Sequence, residues 1–285
     1  MADHQHLTVS VRPAPSAPPS PDPQRPTRNS FGLKGVKYVY VVLLVVLIAY
    51  LVVLSIGGMN DIKKLKGTVI TEASRVQFYK EGILGAWIPV AGILLIGAFS
   101  LVNLLEIGLS GFSFWGPLWF RIVTFAFCGG LLVVLLYQII QYFVSADFRE
   151  QVKLKFSTTT SGNYYDSVVA SMIPRTKKEK TWWFFLSASA GICEEIVWRG
   201  FLYFLLIAVF PSWPIAVVIV VASIVFGAGH LYQGPTGFVK TSLVGVLLGC
   251  LYVATGSLLP GILLHFISDY SSAFLLSEDA EESAS

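Results

Sequence analysis

The sequence predicts an all-α protein, a polytopic transmembrane helical bundle of about seven spans, with six to eight as the range. Three observations carry this. Charged residues make up only 13% of the chain against 54% apolar, with a mean hydropathy of +0.68, where soluble domains carry about 25% charge. Charge-free runs cover 38–60, 82–105, 122–146, 200–239 and 241–268, and a helical span needs about 20 such residues. The runs are continuous rather than alternating, which argues against an outer-membrane barrel. Together these exclude a disordered protein and argue against a water-soluble enzyme.

The expected spans are about 38–57, 83–102, 120–143, 182–208, 213–229, 239–255 and 258–276. Residues 1–35 read as a disordered tail, since seven of the fourteen prolines fall between Pro13 and Pro26 and favour an extended backbone. The tail has no apolar core of signal-peptide type, and the first run, Tyr38–Ile56, is long enough to stay in the bilayer. Residues 36–180 form a unit of N-terminal spans and basic loops. Residues 181–276 form a C-terminal transmembrane domain, and 277–285 an acidic, solvated tail. The loop 57–82 has room for a surface helix. The long loop 144–181 collects Arg149, Lys153, Lys155, Arg175, Lys177, Lys178 and Lys180. This bias places both loops on the cytoplasmic side and the N-terminus outside, whereas Lys34 and Lys37 beside the first span resist translocation and leave the opposite orientation open. With 20 basic and 17 acidic residues, nothing points to nucleic acid. Cys128, Cys193 and Cys250 all lie in apolar runs and read as small core residues, not as a disulfide framework.

Charge reappears where it is expensive. Between Thr181 and Ser277 the charged residues are Glu194, Glu195, Arg199, Lys240 and Asp269. Lys240 fits an interface; the others lie inside apolar helices. A charge at mid-helix raises the insertion free energy by about 2.5–3.5 kcal/mol, so such residues line a bundle interior or a wet cavity and mark function. Glu195 and Arg199 are four apart, share a helix face and can pair. Glu194 is left over, and a second carboxylate adds desolvation cost with no gain to a purely structural pair. Phe226 and His230 share a face ahead of the Gly234-Pro235 turn. His265 and Asp269 share another, one turn apart, so the carboxylate can orient the imidazole.

A carboxylate and an imidazole can activate water as general bases, and a second imidazole with a further polar group can stabilise an oxyanion. This inventory suits amide hydrolysis by direct water attack. No serine sits in a Gly-x-Ser-x-Gly elbow, and Cys193 adjoins two carboxylates, which oppose a thiolate. A metal is the open alternative: Glu194, His230 and His265 make a carboxylate-plus-two-imidazole set of the kind that holds zinc, although there is no His-Glu-x-x-His helix. Two readings from other classes also stand. One is a non-enzymatic membrane scaffold or immunity-type protein that keeps the polar cluster for packing. The other is a proton-coupled transporter, against which there is no internal repeat.

The three sets in this order, Glu194-Glu195-x-x-x-Arg199, Phe226-x-x-x-His230 and His265-x-x-x-Asp269, resemble the CPBP family, which contains type II CAAX prenyl endopeptidases of the Rce1 type and bacterial Abi proteins. The stretches His230–Pro235 and Thr255–Pro260 are similar to the same family, and the resemblance covers about 180–275. It implies an intramembrane endopeptidase of glutamic type, CAAX prenyl protease 2-like, acting on a membrane-associated or prenylated-type peptide or protein. Glu194 and His230 would activate the water, and His265 and Asp269 would stabilise the tetrahedral intermediate. Glu195 and Arg199 would pair and hold Glu194 in place, with Phe226 in support. No cofactor is implied, zinc being the alternative. The partners expected are the lipid bilayer and the substrate. The expected location is an integral, multi-pass position in the plasma or inner membrane of a bacterium, or in the endoplasmic reticulum of a eukaryote.

Overall fold

The computed structural model describes residues 30–65, 70–99, 104–109, 111–114, 116–160 and 171–275. Most of the expected tail 1–35 and all of 277–285 lie outside the described residues. The described residues are predominantly helical, with no strand among them. In chain order the helices are α1 (Ser30–Leu65), α2 (Glu72–Ala98), α3 (Leu118–Val144), α4 (Ala146–Thr160), α5 (Lys177–Glu194), α6 (Leu202–Val209), α7 (Ile215–Gly229), α8 (Gly234–Thr255) and α9 (Leu259–Leu275). A π-helical stretch, Glu195–Phe201, joins α5 to α6. The expected span 182–208 is therefore one rod running from Lys177 to Val209.

The segments Tyr38–Asn60, Glu72–Ala98, Leu118–Val144 and Leu231–Thr255 are long and apolar enough to cross a membrane. Valines and leucines such as Val42, Val45, Val53, Leu84, Leu95, Val133 and Ile140 face outward. That large apolar exterior is what a helical protein presents to lipid. The core lies where the C-terminal helices meet α1, α2 and the 105–109 segment, with Val90, Ile107, Leu202, Leu205, Val218 and Leu258 nearly inaccessible.

Local chemistry sets the element ends. Thr71 caps α2 and Thr176 caps α5, each through a reciprocal box with the residue three on. Gly256 closes α8 with a left-handed backbone at φ +62°, a conformation glycine adopts without strain. Pro89 lies within α2 without ending it. Two expectations shift. α2 begins at Glu72, inside the loop expected at 57–82, because the Thr71 cap starts the helix well before the apolar run. The loop expected at 144–181 contains α4, whose Ala, Arg, Glu, Gln, Lys and Leu content favours helix even without an apolar face. Ser145 Oγ accepts from the Phe148 amide at its start.

Two close approaches hold the C-terminal helices. A Cβ at Gly245 of α8 would lie 3.0 Å from Ser223 Cβ and 3.1 Å from its Cα, so α7 and α8 pack nearly backbone to backbone. The segment Leu105–Leu109 turns at Gly108, φ +86°, and docks beneath the α8–α9 turn. There the Leu258 amide donates to Gly108 O at 3.0 Å and the Ser113 amide to Thr255 O at 2.8 Å.

Candidate active site

The centre is built where the α5–α6 rod widens into its π stretch, a local irregularity that often accompanies function. Glu194 ends α5, and Glu195 opens the π stretch. Glu195 is fully buried. Its Oε1 accepts from Arg199 Nη1 at 2.8 Å and contacts His265 Nδ1 at 3.0 Å. The ion pair is therefore tied to His265, seventy residues on, and makes no hydrogen bond to Glu194. α9 comes this close because Gly261 and Gly191 carry no side chain: a Cβ on Gly261 would lie 2.9 Å from Glu195 Oε2, and one on Gly191 3.0 Å from Ile262 O.

His230 caps the end of α7, and its Nδ1 lies 3.0 Å from Phe226 O. A carbonyl only accepts, so Nδ1 carries the proton and Nε2 presents its lone pair. In the same way, Nδ1 of His265 donates to Glu195, which turns its Nε2 toward the cleft. Phe226 packs between these groups, with the Arg199 guanidinium carbon 4.3 Å from its ring centre and the His230 ring 4.8 Å away, edge to face. The cation–π contact covers part of the buried charge.

Glu194 Oε2 stands 4.0 Å from His230 Nε2 and 3.9 Å from His265 Nε2. It is buried and has no hydrogen-bond partner. Asp269 Oδ2 lies 3.5 Å from His265 Nε2, and Trp183 Nε1 donates to the Asp269 carbonyl at 3.1 Å. Glu194, His230, His265 and Asp269 are thus brought to one place, a cleft of about 510 Å³. Phe226 lines the cleft beside them, and Glu195 and Arg199 form the layer behind it. Cys193, between Ile192 and Glu194 in the chain, points into the core and is 1% exposed.

The donor set is spaced more widely than zinc requires. Zinc bonds near 2.0–2.1 Å put tetrahedral ligands about 3.3 Å apart; the observed 3.9–4.0 Å is longer. Among the described residues no group of three or more His, Cys, Asp or Glu is arranged to hold a metal. A water donating to both Oε2 and an imidazole nitrogen, by contrast, separates them by about 4–4.5 Å, given hydrogen bonds near 2.8 Å. As placed, the residues fit a water better than a metal.

Residues 177–271 match the family model for type II CAAX prenyl endopeptidase Rce1-like proteins. The match covers about a third of the chain, toward its C-terminal end. It begins at the first residue of α5 and takes in all three motifs. The match supports a peptidase of the CAAX protease type for this segment, and the long apolar helices support an integral membrane protein. No curated protein and no solved structure gives a significant match.

Parts of the site outside the Rce1-like domain were not visible to motif reading. Phe78, Gly82 and Ala86 of α2 and Leu131 of α3 line the cleft. Ser55 of α1 donates to the Ala228 carbonyl at 3.0 Å, and a Cβ on Gly58 would meet the Tyr232 ring at 3.3 Å, so α1 braces the loop that carries His230. Met172 and Ile173 also line the cleft. Their segment is pinned from α2: Tyr79 donates to Met172 O at 2.6 Å, and the buried pair Arg75–Glu179 closes at 2.7 Å. Glu179 also accepts from the amides of Arg175 and Thr176.

Proposed function

We propose that this protein hydrolyses a peptide bond of a membrane-associated or prenylated-type substrate with water activated by Glu194 and His230. The observation that carries this is the Glu194 carboxylate, partly exposed to the cleft but with its Oε2 enclosed and unpartnered, an imidazole Nε2 standing about 4 Å away on either side. A polar group so placed is costly in a packed scaffold unless something else meets it, and a water between Oε2 and Nε2 meets it.

The chemistry follows from the proton positions. His230, protonated on Nδ1, and Glu194 both accept, so a bridging water points both hydrogens at bases and its lone pair outward. Attack on the scissile carbonyl carbon forms the C–O bond and passes one water proton to this pair. The carbonyl oxygen becomes an oxyanion. As its donor, His265 must carry a proton on Nε2 as well as on Nδ1, with Glu195 and Asp269 as the counter-charges of that form. The intermediate collapses by breaking the C–N bond, and the proton held by Glu194 and His230 goes to the leaving amine. Arg199 and Glu195 act one layer back by fixing the His265 ring. No step is routed through a metal. The apolar wall of Phe78, Leu131, Leu247, Leu248 and Leu264 supports a substrate with apolar side chains or a lipid group near the cut. We place the chain across the membrane several times, with α1, α2, α3, the α5–α6 rod, α7, α8 and α9 as spans.

The test is cleavage of quenched peptides, prenylated and plain, by purified full-length protein, beside Glu194→Gln and His230→Ala. Loss of at least a hundredfold in both variants, with a strong chelator having no effect, supports the reading. Loss under chelator with recovery on adding zinc moves the same residues to a metallopeptidase. Undiminished cleavage by both variants refutes the role of the pair.

A further inference from the structure

The α5–α6 rod carries a second polar set, one layer behind the cleft. Glu195, Arg199 and Tyr203 follow one another at four-residue intervals, so their side chains share one side of the rod. All three lie in the core, at 0%, 1% and 2% exposure. Each keeps a buried polar atom with no partner among the described residues: Glu195 Oε2, Arg199 Nη2 and the Tyr203 hydroxyl. Arg199 is held by Nη1 on Glu195 Oε1 at 2.8 Å and by its face on the Phe226 ring, which leaves Nη2 unfixed. Side chains on a helix lean toward its N-terminus, so Tyr203 leans toward Arg199, and the charges of Arg199 and Glu195 both act on its hydroxyl. Its ring stands edge to face with Tyr252 at 5.5 Å. α8 crosses over the hydroxyl at Gly249, where a Cβ would collide with it. A phenylalanine would fill this place with no polar atom to satisfy, and an orphaned hydroxyl in a core is costly.

We propose that Tyr203 is a positioning residue for His265, acting through one buried water. The water accepts from Arg199 Nη2 and from the Tyr203 hydroxyl, and it donates to Glu195 Oε2. Two donors and one acceptor are the complement of a water's lone pairs and a proton, and buried waters make about three such bonds to groups otherwise unsatisfied. From Glu195 the connection continues through Oε1 to His265 Nδ1 at 3.0 Å. Fixing Arg199 Nη2 and Glu195 Oε2 stops the carboxylate from turning away from His265. The water site rests on burial and partnering alone; its effect on rate rests on the peptidase reading. A tyrosine kept only for its ring predicts that phenylalanine serves as well or better.

The test compares the full-length parent, Tyr203→Phe, Gly249→Ala and the double variant, by unfolding in SDS and by cleavage of quenched prenylated peptides. Tyr203→Phe deletes only an oxygen. It should shift the unfolding equilibrium about tenfold toward the unfolded state, or 1.4 kcal/mol, and lower kcat about tenfold at constant KM. Gly249→Ala drives a methyl into the hydroxyl and should lose both stability and rate. Adding Tyr203→Phe removes the collision, since the ring carbon Cζ would lie 3.4 Å from that methyl; the double variant should regain stability but no rate. Tyr203→Phe at or above the parent's stability overturns the water. Lower stability with kcat unchanged, a change in KM alone, or recovered rate in the double variant overturns the positioning role and leaves the peptidase reading intact. A folded parent that cuts no peptide overturns the peptidase reading and the positioning role with it, while the unfolding arms still decide the water.

Discussion

Glu195 is predicted to serve His265, and the prediction separates stability from activity. Its Oε1 is shared between Arg199 at 2.8 Å and His265 at 3.0 Å, and Glu195 and Arg199 are 0% and 1% exposed. Breaking a buried pair from one side leaves an uncompensated charge and costs about 3–5 kcal/mol, whereas replacing both partners by neutral groups is close to neutral. Glu195→Gln and Arg199→Met should each lower stability by about that much, a large part of the roughly 5–15 kcal/mol typical of a domain. The double variant should lose only about 1–2 kcal/mol, a coupling of several kcal/mol between the two sites. Activity should not follow. Glutamine still offers an oxygen to His265 Nδ1 but no charge, and a buried carboxylate that fixes an imidazole is worth roughly a hundredfold or more in rate. Unfolding in SDS, followed by circular dichroism, reads the first quantity; initial cleavage rates read the second. Recovery of both stability and activity in the double variant would refute the claim that Glu195 acts through His265. Single variants as stable as the parent would refute the buried pair.

Three further outcomes follow from the packing. Arg75→Met should cost up to about 3 kcal/mol, since Glu179 keeps its two amide donors but loses its cation; trypsin should then cut faster between Arg175 and Lys180, and an unchanged digestion rate would show that the clamp does not hold this segment. Gly245→Leu should cost about 1–3 kcal/mol by forcing α8 off the Ser223 backbone and should slow cleavage with it, because His230 ends α7; a normal melting profile would mean the helices separate freely. Ser55→Ala should cost about 1 kcal/mol, the worth of one hydrogen bond, and slow turnover a few-fold at constant KM; a KM change alone would place α1 in substrate binding instead.

The helical class and the positions of the apolar runs were legible because hydropathy is a property of contiguous residues. The pairs Glu195–Arg199, His265–Asp269 and Phe226–His230 were legible for the same reason, being local spacings on one helix. Long-range pairings were not. Nothing in the sequence ties Glu195 to His265, because tertiary packing, here permitted by Gly191 and Gly261, determines which helix faces which. Glu179 was hidden among the lysines of the loop expected at 144–181, yet it is 0% exposed and paired with Arg75 over a separation of 104 residues. The α4 helix was hidden because it has no apolar run, only helix-favouring residues. The docking of Ile107 and Gly108 was equally silent: a short segment shows no periodicity.

The bond from Ser55 to Ala228 spans 173 residues of chain. A ribosome adding about 5–20 residues per second takes roughly 10–35 s to cover that distance. For that interval α1 is already made while the helix it braces does not yet exist. Ser55, Leu51 and Leu47, all buried in the finished protein, must wait against lipid or the insertion machinery. The candidate site is then completed by the meeting of an early helix with late ones. A nascent chain that stops short of α9 lacks His265 and Asp269, and one that loses α1 lacks the brace behind His230. On the proposed reading, the water-activating pair gains its oxyanion-side partners only once α9 is made.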